Sequence, residues 1–442
     1  MTNARVVVIG GGFAGVAAAV SLRARGVHVT LIEARPTLGG RARSDVLDDV
    51  PIDTGAQLIT GGFARTVRLL GAQLERGAAH DIVVRGDERL PLRFGSLRSL
   101  LSFSGLSALD KVRLATHLLP LLARFRDALD ASGTRIPASL DRESAREFVE
   151  RRIGPAAADT LTEPPCNGFY NLAASEVSLA FFLTLGRYGS EGDTLAPVNG
   201  WSAALGSALG DVEVVRDTRV VGLEVERDAA GRATRVSVRD ASGTTWDGNA
   251  AVIATDPRAA HALLAPYLAP DDALARWLVA IPIRDTLTLA LALDCAPPHE
   301  AFGVFQDVRT ARIVSACVVH GAKHAKPVHR DAVLAWPTPA SLEALRAASP
   351  ESIATKMLPE VEALVPQVRG HVTRARVYRF EPGSPIPYIG FVRDRANGAA
   401  LADAIALPIA LAGDYLTTPL IEGAVASGDQ AAARIARLLD LN

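Results

Sequence analysis

Gly10, Gly12 and Gly15 follow directly on the β-branched run RVVVI at residues 5 to 9, and Glu33 closes the next apolar run, 18 residues after Gly15. Glycines at this G-x-G-x-x-G spacing allow a tight turn, a close approach of backbone to a pyrophosphate, and close packing of helix on strand. Phe13 and Ala14 fall inside the same turn. A carboxylate in the place of Glu33 accepts hydrogen bonds from two ribose hydroxyls and disfavours a 2′-phosphate, which argues against NADP. The chemistry these residues can do is dinucleotide binding. After Glu33, Ala34 and Arg35 come a second glycine pair, Gly39 and Gly40, then Arg41, and further on Gly55, Ala56 and Gln57. A glycine pair with an arginine just past the first unit suits the longer pyrophosphate and ribityl chain of FAD. At the far end, LAGDYLTTPLIEGAVASGDQAA (411 to 432) runs from small residues into an alanine-rich helical pattern. Gly413, Asp414, Thr417, Thr418 and Pro419 leave room for something large and anionic at a helix start.

The elements that must position these residues can be read from periodicity. Residues 5 to 9 predict a strand, 14 to 25 a helix and 27 to 34 a second strand, a βαβ unit of dinucleotide-binding length. The run EVVRDTRVVGLEVER (213 to 227), then ATRVSVRD and AAVIATDP, predicts hairpin strands feeding another buried strand, and 405 to 415 predicts a last one. Residues 66 to 194 have a mostly helical pattern, whereas 265 to 385 mix strands such as TLTLALAL with helix near 340 to 365. At 442 residues the chain exceeds one core. The expected class is α/β: a Rossmann-like FAD-binding domain assembled from three segments (1–65, 195–264 and 386–442) with an inserted α+β substrate domain (66–194 and 265–385).

Composition excludes several classes. Lys+Arg 47 against Asp+Glu 48 gives no global reason to expect nucleic acid. Three dispersed cysteines, Cys166, Cys295 and Cys317, indicate neither a disulfide framework nor a zinc knuckle, so a reducing, cytoplasmic location is the default. The N-terminal apolar run is broken by glycines and has a weak charged leader, so it is not taken as a secretory signal, and no uninterrupted run of eighteen apolar residues predicts a spanning helix. His320, His324 and His329 lie close in sequence, but Gly321 and Pro327 interrupt any helix that would align them, and no metal is expected. There is no G-x-S-x-G elbow for hydrolysis and no second G-x-G-x-x-G for a nicotinamide.

The stretch VVVIGGGFAGVAAAVSLRARGVHVTLIEARPTLGGRARS resembles the N-terminal signature of the flavin-containing amine oxidase superfamily, which includes amine oxidases, protoporphyrinogen oxidase, phytoene-type desaturases and hydroxysqualene dehydroxylase. LAGDYLTTPLIEGAVASGDQAA is similar to its second flavin motif, and NGWSAALGSAL (199 to 209) to a segment ahead of its adenine-binding strand. The likeness is strong at both ends and in the 199 to 257 block, and loose across the two insertions. It implies that Gly10, Gly12, Gly15, Glu33, Arg35, Gly40 and Arg41 hold the ADP half and pyrophosphate, and that Val220 meets the adenine through its backbone. It further implies that Gly413 and Asp414 lie at the pyrophosphate and ribityl chain, and that the amide of Ile421 faces the pyrimidine edge of the flavin. A helix start there would favour the charge that gathers on reduction. No cysteine follows Cys317, so FAD would be held without a covalent bond.

Departures from the family pattern bear on the substrate. The strand that would carry an amine oxidase's lysine corresponds to RDTLTLALALD (284 to 294) and has none. Of the two aromatic walls that frame an amine, Tyr388 is available for one, but Leu420 stands where the other would be. Phe169 and Tyr170, in PPCNGFYN, are further candidates for the cavity wall, and Tyr170 or Tyr388 for assisting proton loss. The expected reaction is desaturation of a hydrophobic small molecule, with a flavin amine oxidase, a protoporphyrinogen-type oxidase or a GDP-dissociation-inhibitor-like binding protein as alternatives. Electrons would leave to oxygen, a quinone or a redox partner. Residues 89 to 126 carry seven Lys/Arg and one acid among leucines and phenylalanines, the pattern of basic amphipathic helices. They would allow peripheral contact with the inner face of a membrane.

Overall fold

The computed structural model describes residues 4–77, 80–94, 96–231, 233–269, 271–324, 326 and 328–441; Pro327, named above as an interruption, lies outside them. Its organising element is a five-stranded parallel sheet in the order Glu213–Val215, His28–Ile32, Arg5–Ile9, Ala250–Ile253, Ile409–Leu411. Three distant stretches of chain supply these strands. Their central members are apolar on both faces because both are covered, one by helices and the other by helices together with a small antiparallel sheet. Val6, Val7, Val8 and Ile9 are all buried, as are Ala250, Ala251, Val252 and Ile253. The helix Phe13–Arg23 leaves the first strand and packs along the C-terminal helix Ile421–Leu438. Gly428 permits that contact, since a Cβ there would lie 2.2 Å from the Ala14 carbonyl oxygen.

Two expectations change here. Glu213–Val215 joins the parallel sheet beside His28–Ile32, while Val220–Arg227, Ala233–Asp240 and Thr245–Gly248 form a separate antiparallel sheet. The turn at Asp217, with φ 54°, separates what the sequence presents as one run. The last strand is also shorter than its apolar run and begins only after Pro408, which has no N–H to offer a neighbour.

The second sheet has seven strands, in the order Val372–Pro385, Ile283–Leu293, Ala332–Pro337, Val314–Val319, Gly303–Gln306, Asp81–Arg85, Glu88–Leu92. The last two come from the region expected to be mostly helical, so the basic segment starts as strand, with Leu90 and Leu92 buried and Arg89 in an ion pair with Glu300. Its helical part is Leu97–Ser102, Ala108–His117 and Leu119–Phe125, the middle one closed by a Ser107/Asp110 capping box. One face of the sheet, with Leu287, Leu289 and Leu291, is covered by the helix Pro350–Leu364 through Met357 and Val361. The other, with Ala290, Ala292, Tyr378 and Phe380, packs on Leu47, Val50 and Ile52 of the hairpin Ser44–Asp53 and so faces the glycine-rich segments.

Candidate cofactor and active site

Two helices, Phe13–Arg23 and Ile421–Leu438, begin at the same end of the parallel sheet, and neither has a side-chain cap. Their first-turn N–H groups therefore point outward without intrahelical acceptors, which suits a negatively charged ligand. The glycines divide by role. A Cβ at Gly15 would lie 1.9 Å from the Gly10 carbonyl oxygen, so this glycine serves packing, whereas a Cβ at Gly12 would meet nothing within 4 Å. Gly40 looks across the same gap, where its Cβ would lie 3.7 Å from the Gly12 Cα. Phe13 and Ala14 open the first helix, buried, and Phe13 meets Trp201 edge-on. No described side chain comes within 4 Å of a Cβ placed at Gly12 or Gly40, so backbone faces this gap.

Glu33 is buried and accepts from the Gly11 N–H at 2.7 Å and the Arg35 N–H at 2.9 Å. Each oxygen keeps a lone pair for a ribose hydroxyl. Ala34 and Arg35 are exposed beside it, and the chain leading to Val220 is tied there by the Asp217 and Thr218 N–H groups, which donate to the Arg35 and Glu33 carbonyls. Across the cradle, Arg41 donates to both oxygens of the buried Asp414, at 2.6 and 2.9 Å. Residues 373 positions apart in sequence thereby join the two glycine-rich loops, and Gly413 is held by its N–H on Ser427 Oγ. Gly55 fits because a Cβ there would lie 1.9 Å from the Arg41 carbonyl oxygen. The Ala56 carbonyl accepts from Trp201 Nε1, and the Gln57 amide nitrogen donates within its own loop. Gln57 Oε1 and Thr418 Oγ1 are buried without partners. Open helix ends, a backbone-lined gap and orphaned polar atoms together fit FAD.

Sequence reasoning missed two cations here. Lys323, 0% exposed, places Nζ 2.5 Å from Asp53 Oδ2 beneath the loop of Gly55, Ala56 and Gln57. Asp53 also accepts from Ser44 Oγ and the Trp201 N–H, so this one carboxylate orders the hairpin and the helix Gly200–Leu209. His320 Nε2 accepts the Asp53 N–H at 3.0 Å and is neutral, because burial and then the Lys323 charge push its pKa down to about 4. His324 turns instead to Glu75 and His329 is exposed, so the three histidines do not converge. The second cation is Arg395, 7% exposed, whose guanidinium donates to the Thr417 carbonyl at 2.7 Å and lies 4.5 Å from the centre of the Phe391 ring. A signal for it exists: Phe391, Arg395, Gly398 and Ala402 form the buried stripe of the helix Phe391–Asp403.

The packing around the head of the C-terminal helix is apolar. Leu420, 7% exposed, caps the C-terminal helix, and Tyr170, Tyr388 and Ile421 pack in the same cluster. Phe169 departs from expectation, being 51% exposed and set edge-on against Phe305, because consecutive helical residues point in different directions. Tyr170 lies edge-on against Phe181, and burial raises its phenol pKa. Burial and Asp394 do the same for Tyr388. Both phenols are therefore protonated at neutral pH and can donate a hydrogen bond. On the strand Ile283–Leu293, Thr288 shares the hairpin-facing side with Ala290 and Ala292 and is fully buried with an unpartnered hydroxyl. Among the described residues one group could ligate a metal, Asp294, Cys295 and His371, at the distant end of that strand.

Comparison with known proteins agrees with this architecture. The flavin containing amine oxidoreductase family model matches residues 13–436. Over 84 residues the chain is 42% identical to polyamine oxidase 5 of Oryza sativa subsp. japonica, covering 18% of this chain and 17% of that protein. Over 56 residues it is 45% identical to hydroxyneurosporene desaturase of Rubrivivax gelatinosus, covering 13% of this chain and 11% of the relative. The structure of cyclohexylamine oxidase from Brevibacterium oxydans IH-35A superposes with a TM-score of 0.73 at 18% identity, over 99% of this chain and 100% of that one, a likeness of fold. The matched stretches thus span less than a fifth of these two curated relatives, while the family model spans nearly the whole chain. With the cradle and both flavin motifs in place, the chain belongs to the flavin containing amine oxidoreductases, whose cofactor is FAD.

Proposed function

We propose that this FAD-dependent oxidoreductase desaturates a hydrophobic small molecule by removing hydride from one of its C–H bonds, the double bond forming as the adjacent carbon loses a proton. Bound FAD would supply the two-electron acceptor, at ring atom N5. The chain's own part is to hold an apolar substrate and exclude water. Leu420 and the Ala290 face of the substrate sheet provide surface that binds carbon skeletons without directional demands. The observations that carry this reading are Leu420 at the head of the C-terminal helix, where an amine would need an aromatic frame, and the strand Ile283–Leu293, which offers the buried hydroxyl of Thr288 and no lysine. The desaturase relative supports it, and the polyamine oxidase relative keeps the amine-oxidase alternative in play. Oxygen, a quinone or a redox partner would take the electrons onward. Anaerobic mixing with isoprenoid hydrocarbons, porphyrinogens and amines tests the assignment. Flavin bleaching by isoprenoids is the expected result, and fast bleaching by simple amines would sink it.

Membrane contact is the way such a substrate would arrive. No described helix is long and apolar enough to cross a bilayer. Leu97, Leu101, Leu109 and Val112, however, are 48–59% exposed on two neighbouring helices, with Arg98 and Arg113 exposed among them. Apolar side chains ringed by arginines suit an anionic membrane surface.

A further inference from the structure

At the outer end of the substrate sheet three side chains of different chemistry meet. Asp294 and Cys295 follow the strand Ile283–Leu293, and His371 stands just ahead of the strand Val372–Pro385. His371 Nδ1 lies 2.9 Å from Asp294 Oδ1 and 3.3 Å from Cys295 Sγ, although these residues are 77 and 76 positions apart in sequence. Backbone holds all three in place. The Asp294 N–H donates to the His371 carbonyl at 3.0 Å, the Asp331 N–H donates to the Cys295 carbonyl at 3.1 Å, and Leu293 and Val372 are paired immediately beside them. The charges acting on the Cys295 thiol are those of Asp294 and Asp331, both negative. Asp294 and His371 are exposed and Cys295 partly so, which leaves the cluster open to ions from solvent. Sulfur, nitrogen and oxygen donors together select a borderline-soft divalent cation over Mg²⁺ or Ca²⁺. Bonds of about 2.0–2.3 Å from zinc to such donors put them about 3.3–3.6 Å apart in a tetrahedron, so the two measured pairs need open only slightly.

We propose that Asp294, Cys295 and His371 bind one Zn²⁺, with water completing the tetrahedron, and that the metal clips the end of one strand of the substrate sheet to the start of its neighbour. The other end of this strand pair lies at the cradle, where Ser384 accepts from Arg41. The clip therefore stands about 30 Å from the cofactor along the strand and takes no part in the redox chemistry. Binding exchanges the thiol proton for a metal–sulfur bond, the proton passing to solvent, with no change of oxidation state. The test uses flavin-loaded protein stripped with a chelator. Equilibrium dialysis should show one equivalent of Zn²⁺ bound, undisturbed by Mg²⁺, and Co²⁺ should give tetrahedral d–d bands in the red, where oxidised flavin does not absorb. Losing a group behind a ligand already costs about 10–100-fold, so Cys295→Ser and His371→Ala should each weaken zinc about 100-fold or more. Their flavin spectra should stay unchanged. The thiol supplies a second readout. Cys166 and Cys317 are 0% exposed, so alkylation by iodoacetamide reports Cys295, and Zn²⁺ should slow it in the wild type and not in His371→Ala. Absence of stoichiometric zinc, zinc retained by both variants, or Mg²⁺ competing on equal terms overturns the proposal. Should a variant lose its fold, wild-type alkylation decides: protection by Zn²⁺ supports the site, and a rate indifferent to it overturns it. None of these measurements involves a substrate, so failure of isoprenoids to bleach the flavin would refute desaturation alone.

Discussion

The cradle and the substrate wall are built on different principles. In the cradle, function lies in backbone: Gly12 and Gly40 face open space, two helix starts lack caps, and the charged side chains are paired across long sequence distances. For the proposed substrate, function would lie in the shape of side chains such as Leu420, Thr288 and Tyr170, which three different elements supply. A pyrophosphate makes the same demands in every relative, so glycines at fixed spacing satisfy it. A substrate makes its demands through volumes and a few polar points. The difference teaches that a shared cofactor says little about the molecule oxidised.

The strongest way to break this contrast is to ask whether cradle glycines act through ligand or through fold. Gly15→Val places carbon where the Gly10 carbonyl sits, so the protein should fail to accumulate in folded form. Gly12→Val meets only open space, and its apoprotein should melt within a degree or two of the wild type, yet FAD affinity should fall by about 100-fold or more, about 3 kcal/mol. Calorimetry of the apoproteins and fluorescence titration with FAD separate the two. A Gly12→Val protein that keeps wild-type affinity would show that the space over Gly12 is not the pyrophosphate site.

The buried ion pair beneath the loop comes next in size. Lys323→Met leaves Asp53 charged and buried, at a cost of about 3–5 kcal/mol in urea unfolding. Adding Asp53→Asn should restore part of it, since the isolated charge is then gone. A single variant as stable as the wild type would mean that Asp53 is held by Ser44 and Trp201 alone.

His320 gives a pH-dependent version of the same test. Its pKa falls from 6.5 to about 4 on folding, because burial and then Lys323 disfavour the imidazolium. Between those values the unfolded chain binds the extra proton, so stability is lost as pH drops through this window, by about 3 kcal/mol at the acid end. Asp81 acts in the opposite sense, since burial lifts its carboxyl to about 7 and stability from it is lost as pH rises. The quantity to measure is therefore the difference between wild type and His320→Gln. It should shrink by about 3 kcal/mol from pH 7 to pH 4, and a difference constant across that range would contradict a neutral, buried His320.

What the sequence revealed follows the same division. Gly10, Gly12, Gly15, Glu33 and the 411 to 432 motif are legible because each sits in a local pattern of strand, turn and helix. Lys323 was not, because its meaning depends on Asp53, 270 residues away. Arg395 sits in FVRDRANG, where three charges in a row of three residues look alike until helical periodicity singles out one. The hairpin Asp81–Leu92 was hidden by its place in a leucine- and arginine-rich stretch, where a short strand and a helix share composition.

The smallest effect concerns the exposed apolar side chains of the helices Leu97–Ser102 and Ala108–His117. Leu101, Leu109 and Val112 leave more than half of their surface in water, and sinking them into acyl chains recovers about 25 cal/mol for each Å² covered. Partial immersion of three such side chains is then worth about 1–2 kcal/mol, or roughly tenfold in partitioning. The triple substitution Leu101→Ser, Leu109→Ser, Val112→Ser should lower binding to anionic vesicles by about that factor while leaving FAD affinity unchanged. Raising salt should weaken the wild type further, because Arg98 and Arg113 contribute through screened charge. If the wild type does not sediment with vesicles at low salt, the patch is not a membrane face, and the route by which a hydrophobic substrate enters lies elsewhere on the molecule.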